Sequence, residues 1–236
     1  MKIESDRAVV LRRVNFRDRD FLVDFFSEKI GRFSGIARGA RGGKKSWGAN
    51  FQQFARADFF FTGGKNLVKI VRAENLVAAD FDSPEKFFAA NFAAELILKF
   101  CAEKQILPRV FALFGNSLNF LNKSFSDNFA PIFAVQFFSI LGFLGDFQFC
   151  GKCGLKPEKS WGNRGGKILC ENCGGGNRDF AVLKTLNFWQ KNPLEIAAKI
   201  KLQNSHRSAV QNFLTEFLRE SFSFPTKKLK SWFLVF

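Results

Sequence analysis

Two matched cysteine pairs, Cys150-Gly-Lys-Cys153 and Cys170-Glu-Asn-Cys173, restrict the folding of this chain more than any other feature. Sixteen residues lie between them, within the spacing of a four-cysteine ribbon. One pair of thiolates grips one side of a tetrahedral ion, and the second pair closes the other side. Gly151, Gly154, Gly165, Gly166 and Gly174 supply the tight turns that such a site requires. Lys152 and Lys156 offset part of the charge of four thiolates. With every position filled by sulfur, the expected cofactor is one structural Zn2+, with no open position for catalysis. A disulfide framework would need an oxidising compartment. The charged N-terminus (Lys2, Glu4, Asp6, Arg7) and its short first apolar run, Ala8 to Leu11, give no export signal, so the expected location is the cytoplasm. A redox dithiol would not need a second matched copy.

Charge narrows the partners. The 36 Lys+Arg against 21 Asp+Glu leave a formal +15. Charge of that size strains a compact fold by self-repulsion and points to a polyanion, nucleic acid before a membrane surface. It is also unevenly spread. Residues 1–80 hold 16 basic and 9 acidic side chains, 81–149 hold 5 and 6, and 150–236 hold 15 and 6. A uniformly basic proteome would not leave a neutral middle between two basic ends.

The N-terminal third reads as short strands: one that starts with Ala8-Val9-Val10-Leu11, then Phe21 to Phe26, Phe33 to Arg38, Phe51 to Phe61 and Leu67 to Ala73. Gly31 is placed for a positive φ in the turn Lys29 to Arg32. Five short strands with Gly-rich connections suit a small closed barrel, and the OB-fold is the commonest such barrel that binds nucleic acid. Ser83-Pro84-Glu85 then starts a helix. Further helices are expected from Pro108 to Phe120, Pro131 to Leu141, Phe180 to Gln190, Pro193 to Leu202 and His206 to Phe222. The uncharged run Asn128 to Gly145 approaches membrane-span length. Pro131, Gln136, Ser139 and Gly142 interrupt it, so a buried core helix is expected and no membrane partner. The fold class is α+β: an N-terminal OB-fold β-barrel (1–80), then a helical domain in two parts (81–149 and 177–236) that carries a zinc-finger insertion (150–176).

No catalytic residues emerge. His206 is the only histidine, and no phosphate loop or dinucleotide fingerprint is present. Cys101 stands alone in an apolar helical stretch and reads as a small buried hydrophobe. The basic side chains are more informative. Arg12, Arg13, Arg17 and Arg19 lie in or just after the first strand, Arg32, Arg38, Arg41, Lys44 and Lys45 around the third, and Lys65 and Lys69 beside the last. Alternate residues of a barrel strand share a face, so several of these can line one groove. Trp47, beside Lys44 and Lys45, is the candidate stacking platform. Phe51 and Phe54 read as core.

Taken together these segments resemble the bacterial RecO family over nearly the whole chain. Ala8-Val9-Val10-Leu11-Arg12 resembles its first strand, and Gly31 to Arg41 resembles its Gly-Lys-Leu…Ala-Lys-Gly-Ala-Arg segment. Ser46…Gly48…Phe51…Phe54, the cysteine pairs and Leu229-Lys230-Ser231 follow in the family's order. Gln53 stands where a Pro is expected, and Phe stands where relatives often carry Tyr; the chain has no Tyr and 34 Phe. The resemblance implies an OB-fold, a helical domain and a zinc finger. It implies non-enzymatic binding of single- and double-stranded DNA, annealing of complementary strands, and loading of RecA recombinase onto strands coated by single-strand-binding protein, all in association with the nucleoid. RecR is the implied partner, and the RecA filament an indirect one. A different class remains open on the residues alone: an RNA-binding or ribosome-associated protein built from an OB-fold and a zinc knuckle.

Overall fold

The computed structural model describes residues 2–42, 47–63, 67–176 and 178–235. They fall into two compact units, one formed by Met1–Pro84 with Ala94–Asn122, the other by Glu85–Ala93 with Lys123–Phe236.

The first unit is a closed five-stranded barrel. Its strands are β1 (Ile3–Phe16), β2 (Asp20–Ser27), β3 (Gly31–Ala37), β4 (Arg56–Thr62) and β5 (Val68–Val77), in the order β1-β2-β3-β5-β4. β1 is long enough to pair twice, its first half with β4 and its second with β2, and this double pairing closes the barrel. β3 and β5 are parallel, and the other pairs are antiparallel. Period-two alternation sends Val10, Val23, Phe25, Phe33, Phe59 and Phe61 into one core. There Phe25 stacks on Phe33 (centroids 5.0 Å apart) and meets Phe59 at 4.7 Å. Phe26 points the other way and packs on Phe111 of α2 (Pro108–Lys123), at 5.9 Å.

β1 starts earlier and β5 ends later than their sequence expectations, and β4 differs most. The segment Phe51 to Phe61 was expected to be extended throughout, but Gly48–Phe51 is a 3-10 turn and β4 starts only at Arg56. The cause is a bulge in β1 between Val10 and Arg12. Phe54 N–H donates to Val10 O (2.8 Å), and Val10 N–H to Ala55 O (2.9 Å). The Gln53 side-chain amide donates to the carbonyl of the bulged Leu11 (2.9 Å). Holding all three bonds puts Phe54 at a φ of +68° while burying its ring.

Gly31 has a φ of +80°, and a Cβ there would lie 1.9 Å from Gln105 O. The segment after α1 (Pro84–Phe100) crosses this point, with Lys104 N–H donating to Arg32 O (2.8 Å).

The second unit is built around α3 (Phe129–Ile140), whose residues Phe129 to Phe138 are all buried. The uncharged run is therefore a core helix, and no described helix is long and apolar enough to cross a membrane. α4 (Phe180–Lys191) and α6 (Asn204–Phe222) pack on it, with Phe138 and Phe217 centred 5.0 Å apart. Gln136 Nε2 donates to the carbonyls of Trp189 and Asn192 (2.9 and 2.8 Å). The helix expected from Pro193 to Leu202 is only α5 (Leu194–Ala197). Just past its end, the side chains of Ser126 and Asn128 donate to the carbonyls of Ala198 and Ile200 (3.3 and 2.7 Å). A two-stranded hairpin, β6 (Trp161–Arg164) and β7 (Lys167–Cys170), turns through Gly165 and Gly166 at φ +55° and +79°. Positive φ at both positions is what a two-residue hairpin of matching twist demands. A short helix, α7 (Trp232–Val235), follows α6.

Candidate nucleic-acid interface and metal centre

The metal centre is assembled from two backbone devices. Cys150 and Cys153 sit on a knuckle closed by Gly154 N–H to Cys150 O (2.9 Å) and Cys150 N–H to Leu155 O (2.8 Å). Cys170 ends β7, and Cys173 follows on a 3-10 turn that stops at Gly174, φ +91°. Gly151 N–H donates to Ile168 O (2.7 Å) and pins the first knuckle to β7. All four Sγ atoms lie within 4.8 Å of one another, with Cys153 and Cys170 Sγ 3.7 Å apart.

Four sulfurs this close cannot all be thiolates without a cation. Burial pushes the Cys150 thiol up, but backbone N–H donors, including that of Lys152, outweigh it and bring Cys150 down to about 6. The hydrogen bond with Cys153, then burial and the other two sulfurs, push Cys173 up to about 12. A divalent soft cation at the centre removes this conflict, so the donor set fits a metal ion held by sulfur alone.

The ribbon is anchored from below. Trp161 is fully buried, its Nε1–H donates to Asp179 O (2.9 Å), and its ring lies 6.0 Å from that of Phe213. Arg178 pairs with Glu216 of α6 and lies over the Trp161 ring (5.6 Å to the centroid).

On the barrel, the loop between β1 and β2 and the chain after β3 are laced together. Arg41 donates from its backbone N–H to Arg19 O (2.9 Å) and from Nη1 to Arg17 O (3.2 Å). Gly39 N–H donates to Asp20 Oδ1 (2.8 Å). Arg38 follows directly on the Phe21–Ala37 pair that ends the β2–β3 ladder. Arg13 lies over the Phe21 ring (4.5 Å) and reaches Gly48 O (3.4 Å). Arg13, Arg17, Arg19, Arg38 and Arg41 thus gather toward one end of the barrel, all exposed, and none has a carboxylate partner among the described residues.

Other candidates lie elsewhere. Arg12 is held by Asp24 (2.7 Å), which also accepts from Ser34 Oγ (2.7 Å). Arg32, at the far end of β3, donates to Cys101 O (3.2 Å), about 20 Å of strand away from Arg38. Lys69 is exposed opposite Ile36. Trp47 is half-buried, edge-on to Phe51 at 4.8 Å. Lys44, Lys45 and Lys65 lie outside the described residues. Cys101 is buried, and burial pushes its thiol up to about 12, the setting of an inert core cysteine.

Family profiles cover nearly all of this architecture. The profile described as "Recombination protein O N terminal" matches residues 1–78, and "Recombination protein O C terminal" matches residues 82–230. The chain belongs to the RecO family. It is 28% identical over 244 residues to the DNA repair protein RecO of Clostridium novyi, a match that covers 98% of this chain and 93% of that protein. It is 24% identical to the DNA repair protein RecO of Thermodesulfovibrio yellowstonii, over 95% of this chain and 97% of that protein. RecO membership places the chain in DNA repair and recombination. The RNA-binding or ribosome-associated reading finds no support in these matches.

Two features of this RecO-family chain escaped the sequence reading. One is Asp24, which engages Arg12 through a register that only the folded sheet reveals. The other is the surface beside the first knuckle, where Phe149 and Leu155 are exposed. Its only sequence signal was an aromatic residue placed directly before a metal-ligating cysteine.

Proposed function

We propose that this protein is a non-enzymatic mediator of recombinational repair. It binds single- and double-stranded DNA, anneals complementary strands, and helps load RecA recombinase onto DNA coated by single-strand-binding protein, with RecR as its partner. The observation that carries this reading is the group of five exposed arginines at one end of an OB-type barrel, none with a carboxylate partner among the described residues. Guanidinium groups with no internal carboxylate keep their full charge for phosphate oxygens. Binding of this kind follows the backbone, weakens steeply with salt and reads little sequence. Arg12, Arg32, Lys44, Lys45, Trp47, Lys65 and Lys69 are the further proposed contacts, with Arg32 about 20 Å of strand away at the other end of β3.

The ion at the four cysteines is a structural Zn2+, because a closed sulfur set leaves no position for water or substrate. Its part is to order the ribbon. The protein acts in the cytoplasm, on the nucleoid.

An annealing assay on complementary strands coated by single-strand-binding protein tests the proposal. The expected result is faster annealing with the wild-type protein and loss of the effect in an Arg38→Ala, Arg41→Ala, Lys44→Ala variant. The same variant should lower the salt slope of single-strand binding by about two, near 0.7 for each phosphate that is no longer neutralised. An unchanged slope would remove the DNA from this end of the barrel.

A further inference from the structure

We propose that the first cysteine knuckle is a base-stacking site for single-stranded DNA, different in kind from the phosphate-binding arginines of the barrel. This inference rests on the DNA-binding function proposed above and assigns a second contact to it.

Phe149 is 40% exposed and Leu155 66% exposed, on either side of a loop whose ends are joined by the Cys150–Leu155 hydrogen bond (2.8 Å). That closure brings Lys156 back over the Phe149 ring, with Nζ 5.8 Å from its centroid. Lys167 stands beside the knuckle, because a Cβ on Gly151 would lie 3.0 Å from the Lys167 Cβ. Lys152, Lys156 and Lys167 are exposed, and none has a carboxylate partner among the described residues. Screening of the cysteine sulfurs accounts for lysines here. It does not account for a ring and a leucine left facing water on a hydrogen-bonded loop.

An exposed aromatic ring with one ammonium group over it and two more lysines on the same knuckle suits an unstacked base whose phosphates lie alongside. Bases within a duplex are already stacked and cannot use it. The barrel arginines read phosphates that both DNA forms present, so the knuckle adds a preference for the single strand.

The test uses the full chain with its metal bound, a short single strand carrying 2-aminopurine, and a duplex of the same sequence. Phe149→Ala should weaken single-strand binding about tenfold, the loss expected for one stacked base, and abolish the 2-aminopurine quench. Duplex affinity should stay within about twofold. Phe149→Trp should restore the quench. Phe149→Leu keeps apolar bulk over the knuckle and should behave like Phe149→Ala, which separates stacking from folding. Unchanged single-strand binding overturns the proposal and leaves the patch to a protein partner. An equal loss on duplex also overturns it. In parallel, Arg38→Ala with Arg41→Ala should weaken both DNA forms. If that variant binds normally the barrel reading fails, while the Phe149 variants still judge the knuckle alone.

Discussion

The barrel and the cysteine ribbon present basic side chains on scaffolds of opposite kinds. The barrel closes on itself and buries Val10, Val23, Phe25, Phe33, Phe59 and Phe61 in one apolar interior. Its hydrogen-bond ladders leave no open edge, so the charged end rests on a self-sufficient core. The ribbon has two strands of four residues each, and its own buried cluster is Cys150, Leu169 and Cys170 with Cys173 alongside. A lone two-stranded hairpin is marginal in water. A cation held by the four sulfurs would supply the missing order, together with Trp161, which is sunk toward α6. With a metal bound there, one basic surface would depend on packing and the other on that metal.

Removing the metal should break this contrast most visibly. Structural zinc contributes on the order of 10 kcal/mol to small cysteine sites near neutral pH. In a Cys150→Ser, Cys153→Ser variant, amides of β6 and β7 should lose hydrogen-exchange protection. Amides of β2 and β3 should keep theirs, and most of the DNA affinity should remain with the barrel. If the barrel amides open as well, the two scaffolds are one cooperative unit and the contrast is wrong.

Phe25→Ala probes the other side. Its ring meets Phe33, Phe51 and Phe59, so truncation should cost about 3–5 kcal/mol in denaturant unfolding of the barrel. Metal content should not change. Gly31→Ala follows in size. The left-handed backbone alone costs about 1–3 kcal/mol, and the new Cβ must also displace Gln105 O. Loss of metal from either variant would show that the ribbon draws its order from the barrel core.

The same contrast explains what could be read in advance. The cysteine cluster was legible because its geometry is local: each pair spans one turn, and the spacing brings the four sulfurs together. The barrel strands were legible wherever alternation is strict, as in β3 and β4. The reading failed at Phe51 to Ala55, because the 3-10 turn and the left-handed Phe54 answer a bulge more than forty residues earlier in the chain. The gathering of Arg17, Arg19 and Arg41 was hidden for a related reason. It depends on Arg41 finding backbone carbonyls across a register, and no sequence period encodes that. α5 ends at Ala197, and Ser126 and Asn128 reach the carbonyls of Ala198 and Ile200, just past its end, from far along the chain.

The smallest effect tests whether the charged end of the barrel extends along its face. Arg12 is exposed but held by Asp24, whose side chain is only 11% accessible and also takes the Ser34 hydroxyl. Asp24→Asn keeps an acceptor for Ser34 and removes the charge that competes with phosphate for Arg12. A half-exposed ion pair of this kind contributes about 0–1 kcal/mol, so stability should barely move. DNA binding should tighten, and its salt slope should steepen by about 0.7–0.9, the increment for one more neutralised phosphate. A salt titration of binding to single and double strands measures this directly. If the slope stays put, Arg12 never meets DNA. The interface then ends with Arg13, Arg17, Arg19, Arg38 and Arg41, and the Arg12–Asp24–Ser34 row serves only to fasten β1, β2 and β3 to one another.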